Sequence, residues 1–210
     1  MCRSARGRAR GLGVTRFCDY DLVGELGHGG MGTVYRARRP DGRLVALKVM
    51  RPEMRGNPSA EERFRRAPRL YPHHPNNVDI YDAGDCQGTP YFAMRLIDSE
   101  SLAQVLSRVH CLTPEQYLPI LRDVAAALDA AHARGVIHRD IKPSNILVEA
   151  ADGHAILTDF DIAKDLSAAP FTTVGATGPL IGTAQYMSPE QASGKPVTPA
   201  SDIYTLGAMT

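Results

Sequence analysis

The sequence has no long apolar run, no cysteine pair at metal-binding spacing and no surplus of charge of one sign. Its apolar stretches fall short of the roughly 18–20 residues that a membrane-spanning helix needs, so the chain reads as soluble. The four cysteines (Cys2, Cys18, Cys86 and Cys111) are far apart and include no C-x-x-C. That spacing suggests neither zinc nor a disulfide framework, and a reduced, cytoplasmic compartment is the simplest reading. A formal net charge of +1 over 210 residues gives no global reason to expect nucleic acid or a membrane as partner.

What is present is an apolar fraction of 43%, enough for a core in one domain or in two small lobes. Residues 1–18 hold Arg3, Arg6, Arg8, Arg10 and Arg16 and no acid. No apolar core follows these charges, so the stretch is read as a disordered basic leader and not as a secretory signal. From Tyr20 the pattern changes to short strands, around 20–26, 33–35 and 44–49, with two more at 78–81 and 91–94. Pro40-Asp41-Gly42 joins the second to the third with good hairpin-turn chemistry. Gly27-His28-Gly29-Gly30-Met31-Gly32 separates the first two. This G-x-G-x-x-G precedes a strand and not a helix, which argues against a dinucleotide fold. Lys48 lies inside apolar Val45-Ala46-Leu47-Lys48-Val49, where a charge needs an anionic partner.

Farther along, Thr113-Pro114-Glu115-Gln116 is a capping box with Pro at the first helical position. Tyr117, Ile120, Leu121, Val124, Leu128 and Ala131 then recur at helical spacing until Gly135 stops the helix. His138-Arg139-Asp140-Ile141-Lys142-Pro143-Ser144-Asn145 follows. Its apolar flanks, Val136-Ile137 and Ile146-Leu147-Val148, predict two short strands with a polar loop between them. A hairpin over 146–158 turns at Asp152-Gly153 and ends in Asp159-Phe160-Asp161. Residues 162–185 are a Gly/Thr/Ala-rich loop, and Thr198-Pro199 begins a helix carrying Asp202.

These motifs, in this order, resemble the Ser/Thr protein kinases of bacteria over about residues 19–209. The H-R-D loop with Asn five positions after the Asp, the V-A-x-K strand, the D-F start of the next loop and Ser188-Pro189-Glu190 carry the likeness. The resemblance implies an α+β, protein-kinase-like two-lobe fold. Its parts would be a five-stranded antiparallel N-lobe (19–94), a hinge (95–98) and a mainly helical, incomplete C-lobe (99–210). It implies ATP with Mg²⁺ (or Mn²⁺), transfer to protein Ser/Thr hydroxyls and possible self-phosphorylation. Asp140 and Lys142 would be catalytic, and Asn145 and Asp159 would hold the metal. Leu26, Gly27, Gly29, Gly32, Val34, Ala46, Lys48, Arg95, Ile97 and Leu147 would contact ATP, with Met94 at the gatekeeper position. His138 would pack under Phe160, and Asp202 would brace the loop backbone. Thr177 is the best-placed phosphorylation candidate, with Thr172 and Thr173 beside it.

The chain departs from the family pattern in three places. In the helix expected over 59–70, Ala67 stands where the family carries the Glu that pairs with the strand Lys. Pro68 follows it, at a cost of about 3 kcal/mol inside a helix. Asp161 replaces the Gly of D-F-G, and the sequence stops at Thr210 where family members continue for several helices. These departures carry the alternative reading, a pseudokinase or nucleotide-binding module without turnover. A small-molecule phosphotransferase of related fold is the third, opposed by Lys142, the 182–190 segment and Asp202.

Overall fold

The computed structural model describes residues 15–160 and 185–209. Six antiparallel strands form the larger sheet: β1 (Thr15–Phe17), β2 (Tyr20–His28), β3 (Gly32–Arg38), β4 (Leu44–Met50), β5 (Ile80–Cys86) and β6 (Thr89–Arg95). Their order is β1-β2-β3-β4-β6-β5. β4 is central and buried on both faces because its residues alternate between two apolar clusters. Val45, Leu47 and Val49 pack with Tyr20, Ala37 and Ala93. Ala46 and Met50 pack with Phe64, Val78 and Phe92 on the other face. A period of two therefore sets Lys48 on the Ala46–Met50 face.

Helix α1 (Pro58–Arg66) covers that face through Ala60 and Phe64. Asn57 caps it, its side chain accepting from Ala60 N–H at 3.1 Å. The helix stops at Arg66 and tightens into a 3₁₀ turn over Ala67–Arg69, since Pro68 lacks the N–H that another α-helical turn requires.

Two sequence expectations change in this sheet. It has six strands and not five, because β1 lies within the stretch read as leader and pairs with β2. Cys18, between β1 and β2, is joined by a disulfide to Cys86 at the end of β5, with Cα atoms 5.9 Å apart. The reading without a disulfide is thereby corrected. Spacing could not reveal the pair, because β1 and β5 are the outermost strands and meet only once the sheet curls. The same seam holds a hydrogen bond from Tyr20 Oη to Asp82 Oδ2 at 2.9 Å. Phe17 and Tyr20 each set a ring edge-on to Tyr91, with centroids 5.6 Å apart.

Residues 96–98 lead from β6 to a second, three-stranded antiparallel sheet: β7 (Ser99–Ser101), β8 (Ile146–Glu149) and β9 (Ala155–Leu157). Helix α2 (Leu102–Val109) starts from a Ser101/Gln104 capping box. α3 (Pro114–His132) starts from the expected Thr113/Gln116 box and buries Ile120, Val124, Ala127, Leu128 and Ala131. α4 (Pro189–Ala192) and α5 (Pro199–Gly207) complete the described helices. Val136-Ile137 is not a strand, and only the β8 side of the predicted pair forms.

The disulfide closes a loop of 68 residues in sequence. Reducing it, or replacing Cys86→Ser, is expected to remove about 2–4 kcal/mol of unfolding free energy. Urea melts with and without reductant measure this, and superimposable curves would show that the seam holds without the bond.

Candidate active site

A cleft of about 750 Å³ opens between the two sheets. Leu26, Gly27, Gly29, Gly32, Val34, Ala46, Lys48, Arg95, Ile97 and Leu147 line it together with Asp140, Lys142, Asn145 and Asp159. Every candidate within the described residues thus reaches one place. Asp161, Thr172, Thr173 and Thr177 lie outside the described residues. In the Gly-rich turn, only Gly32 is required by contact within the protein: a Cβ there would sit 2.8 Å from the Val49 carbonyl oxygen. Gly27, Gly29 and Gly30 face open space, so their missing side chains leave the turn's backbone accessible.

The polar loop is held from beneath. Asp202 on α5 is 1% exposed. Its Oδ2 accepts from His138 N–H and its Oδ1 from Arg139 N–H, both at 2.8 Å. His132, at the end of α3, brings Nε2 to 2.8 Å from Oδ2. Arg139 adopts φ +68°, a costly conformation for a residue with a Cβ, and Gln191 Nε2 donates to its carbonyl at 2.8 Å. Ser188, standing for the Ala of A-P-E, caps α4 by accepting from Gln191 N–H. The buried His138 ring lies 4.6 Å from that of Phe160, the packing role expected of it. Its Nδ1 accepts from Asp140 N–H at 3.3 Å, and its Nε2 lies 3.0 Å from the Thr158 carbonyl oxygen. Those two partners select the neutral ring protonated at Nε2.

Around Asp140 the contacts are close. Asn145 Nδ2 donates to its carbonyl at 2.8 Å and to Oδ2 at 3.1 Å. Lys142 Nζ lies 2.6 Å from the same Oδ2. Across the cleft, Lys48 Nζ donates to Asp159 Oδ1 at 2.6 Å. α1 supplies no carboxylate for it, since Ala67 is packed in the core and Glu61 accepts from Gly56 N–H at 2.9 Å. Burial acts to raise the Asp159 carboxyl, but the charge and hydrogen bond of Lys48, with a smaller attraction from Lys142, hold it below its ordinary value of 3.8.

Sequence reasoning missed Tyr71. It lies just past the 3₁₀ turn, where helical periodicity gives no signal. Its ring packs edge-on to Phe160 at 5.0 Å and tilted to Phe92 at 6.4 Å. It touches both the core under β4 and the core around α3. Its hydroxyl is pushed up first by burial and then by the charge of Asp159.

A family model for the protein kinase domain matches residues 20–210. The chain belongs to the protein kinase domain family. It is 41% identical over 206 residues to serine/threonine-protein kinase PknA of Mycobacterium tuberculosis, covering 94% of this chain and 47% of that protein. It is 44% identical over 200 residues to PknD of the same species, covering 93% and 29%. The chain thus spans less than half the length of these curated relatives. The crystal structure of the M. tuberculosis PknI kinase domain superposes with a TM-score of 0.71 at 31% identity, covering 92% of this chain and 73% of that one. The kinase two-lobe fold, a curled antiparallel sheet with helices, is therefore shared.

Protein kinases carry a divalent ion beside the nucleotide, and the donors here fit a hard cation. Asp159 is held ionised, and Asn145 has its amide nitrogen committed to Asp140, leaving its carbonyl as the atom able to bind metal. No cluster of three or more His, Cys, Asp or Glu occurs among the described residues.

Two measurements test this geometry. Tyr71→Ala is expected to cost about 3 kcal/mol and Tyr71→Phe about 1 kcal/mol, read by chemical denaturation. Equal costs would mean that the ring contacts do not join the cores. The Lys48–Asp159 pair also predicts a pH dependence. A lowered folded pKa contributes stability that is full above the carboxylate's ordinary 3.8 and is lost as pH falls through the folded value. The stability gap between the parent chain and Lys48→Met should therefore be full at neutral pH and narrow in acid. A gap independent of pH would contradict the pairing.

Proposed function

We propose that the chain is the catalytic part of an ATP-dependent protein Ser/Thr kinase. The observation that carries this is the meeting, in one cleft, of the Lys48–Asp159 ion pair with the Asp140–Lys142–Asn145 cluster beside an open Gly-rich turn. The relatives named serine/threonine-protein kinases support the substrate class, as does Lys142 two residues after Asp140.

In this reading, the apolar walls Leu26, Val34, Ala46 and Leu147 hold the adenine, with the Arg95 carbonyl and the Ile97 N–H facing its edge. Gly27, Gly29 and Gly32 let backbone N–H groups approach the phosphates, and Lys48 pairs with them. Asn145 and Asp159 would hold Mg²⁺ (or Mn²⁺), which when bound would offset the charge of the phosphate oxygens. Asp140 accepts and orients the proton of a Ser or Thr hydroxyl, whose oxygen attacks the γ-phosphorus as the bond to the β,γ-bridging oxygen breaks and ADP leaves. General-base help of this kind contributes about 10²–10⁴-fold. Lys142 offsets charge on the transferring group. Thr177, with Thr172 and Thr173, is the candidate for self-phosphorylation. Among the described residues no helix is long and apolar enough to cross a membrane. Cytoplasmic action belongs to the proposal because the reaction consumes ATP, and does not rest on the cysteine pattern, whose reading the Cys18–Cys86 disulfide overturns.

The second reading, a nucleotide-binding module without turnover, is favoured by the lack of an α1 carboxylate at Lys48. Radiolabelled ATP offered to the purified chain and a generic basic protein separates the two. Label should appear on protein and fall at least a hundredfold in Asp140→Asn. A thermal shift with Mg-ATP and no label in the parent would favour the second reading.

A further inference from the structure

Arg95 has a side-chain partner that the chemistry above does not use. It is the last residue of β6, faces Val45 across the ladder, and donates its N–H to the Asp79 carbonyl at 2.9 Å. Its Nη2 lies 2.6 Å from Oε1 of Glu149, the last residue of β8, whose strand partner is Ser99 of β7. Between these two anchored ends runs the short linker 96–98, which contributes Leu96 and Ile97 to the cleft wall. Beside the ion pair, Ala150 N–H donates to the Asp98 carbonyl at 3.0 Å. The side chains of Arg95 and Glu149 are 37% and 18% exposed, so the pair is partly sheltered from water and salt.

We propose that Arg95 and Glu149 form a latch across the linker that sets the aperture of the cleft. The inference rests on the nucleotide-binding reading and makes both side chains positioning residues for ATP. The latch ties the six-stranded sheet to the three-stranded one at the point where a single chain crossing joins them. With it closed, the backbone at 95 and 97 keeps one spacing against Ala46 and Leu147 on opposite walls. With it broken, the sheets sample more apertures, and the fraction competent to hold nucleotide falls, which weakens apparent affinity by that fraction. A glutamate at position 95 would set two carboxylates against each other here; the arginine answers Glu149 instead.

The test is a charge-reversal cycle in the full chain: Arg95→Glu, Glu149→Arg and the double variant. Mg-ATP affinity is measured by calorimetry. Hydrogen exchange of the 96–98 amides is measured without nucleotide. Each single reversal should weaken ATP binding about five- to tenfold and speed exchange, and the double variant should return both to within about twofold of the parent. Single variants that match the parent, or a double variant no better than the worse single, would overturn the latch. Exchange decides the latch even where the parent binds no ATP, an outcome that would overturn the nucleotide reading instead.

Discussion

A carboxylate in a dry interior has to be answered by donors, and Asp202 is the one on which this molecule depends. At 1% exposure it would be among the most costly groups in the chain if left unpaired. Its donors come from the loop itself, two successive backbone N–H groups at His138 and Arg139, with the His132 ring from the end of α3 as a third partner. Satisfying the charge therefore fixes the loop backbone, and Asp140 is the next residue. Asn145, bound to both the carbonyl and the carboxylate of Asp140, carries the constraint to the start of β8. An arrangement that looks like an active site thus begins as the solution to a burial problem.

Lys48 poses the same problem with the opposite sign. Alternation along β4 sends it into the cleft among Ala46, Met50 and Phe92, where water is scarce. α1 ends before it can bring a carboxylate, so Asp159 meets the ammonium from 111 residues away. Asp159 remains 38% exposed on the cleft side, so the pair satisfies Lys48 without sealing the carboxylate from a ligand. Past the end of α1, the Tyr71 ring joins the cores of the two lobes through Phe160 and Phe92.

Legibility in the sequence followed the range of the interaction. Turn chemistry at Gly42 and Gly153, the Thr113 capping box and the β8–β9 hairpin are local, and each appears where the residues predicted it. The loop around Asp140 was legible because several residue types recur at fixed spacing, and Pro68 because its missing N–H acts on its own helix. Contacts chosen only after the sheet curls were not. Cys18 and Cys86 sit on outer strands at opposite ends of the strand order, and nothing in their spacing says that the edges meet. Strand β1 was hidden because three residues beside an Arg-rich stretch are too few for alternation to show. Val136-Ile137 misled in the other direction: two apolar residues looked like a strand, but their role is to carry the chain from α3 to the buried His138.

Backbone strain shows where tertiary contacts are concentrated. Among the described residues, positive φ at non-glycine positions occurs at Cys18, Gln87, His110, Arg139 and Asp159. The first three sit in the β1–β2 turn, the β5–β6 turn and the C-cap of α2, where a tight reversal accounts for the conformation. Arg139 and Asp159 are different, because no hairpin or helix end requires their geometry. Strain of about 1–3 kcal/mol persists only where surroundings over-determine it. Arg139 is gripped on its N–H by Asp202 and on its carbonyl by Gln191, and Asp159 is gripped by Lys48. None of these holds involves α1. The cleft floor therefore keeps these two conformations without a carboxylate from α1.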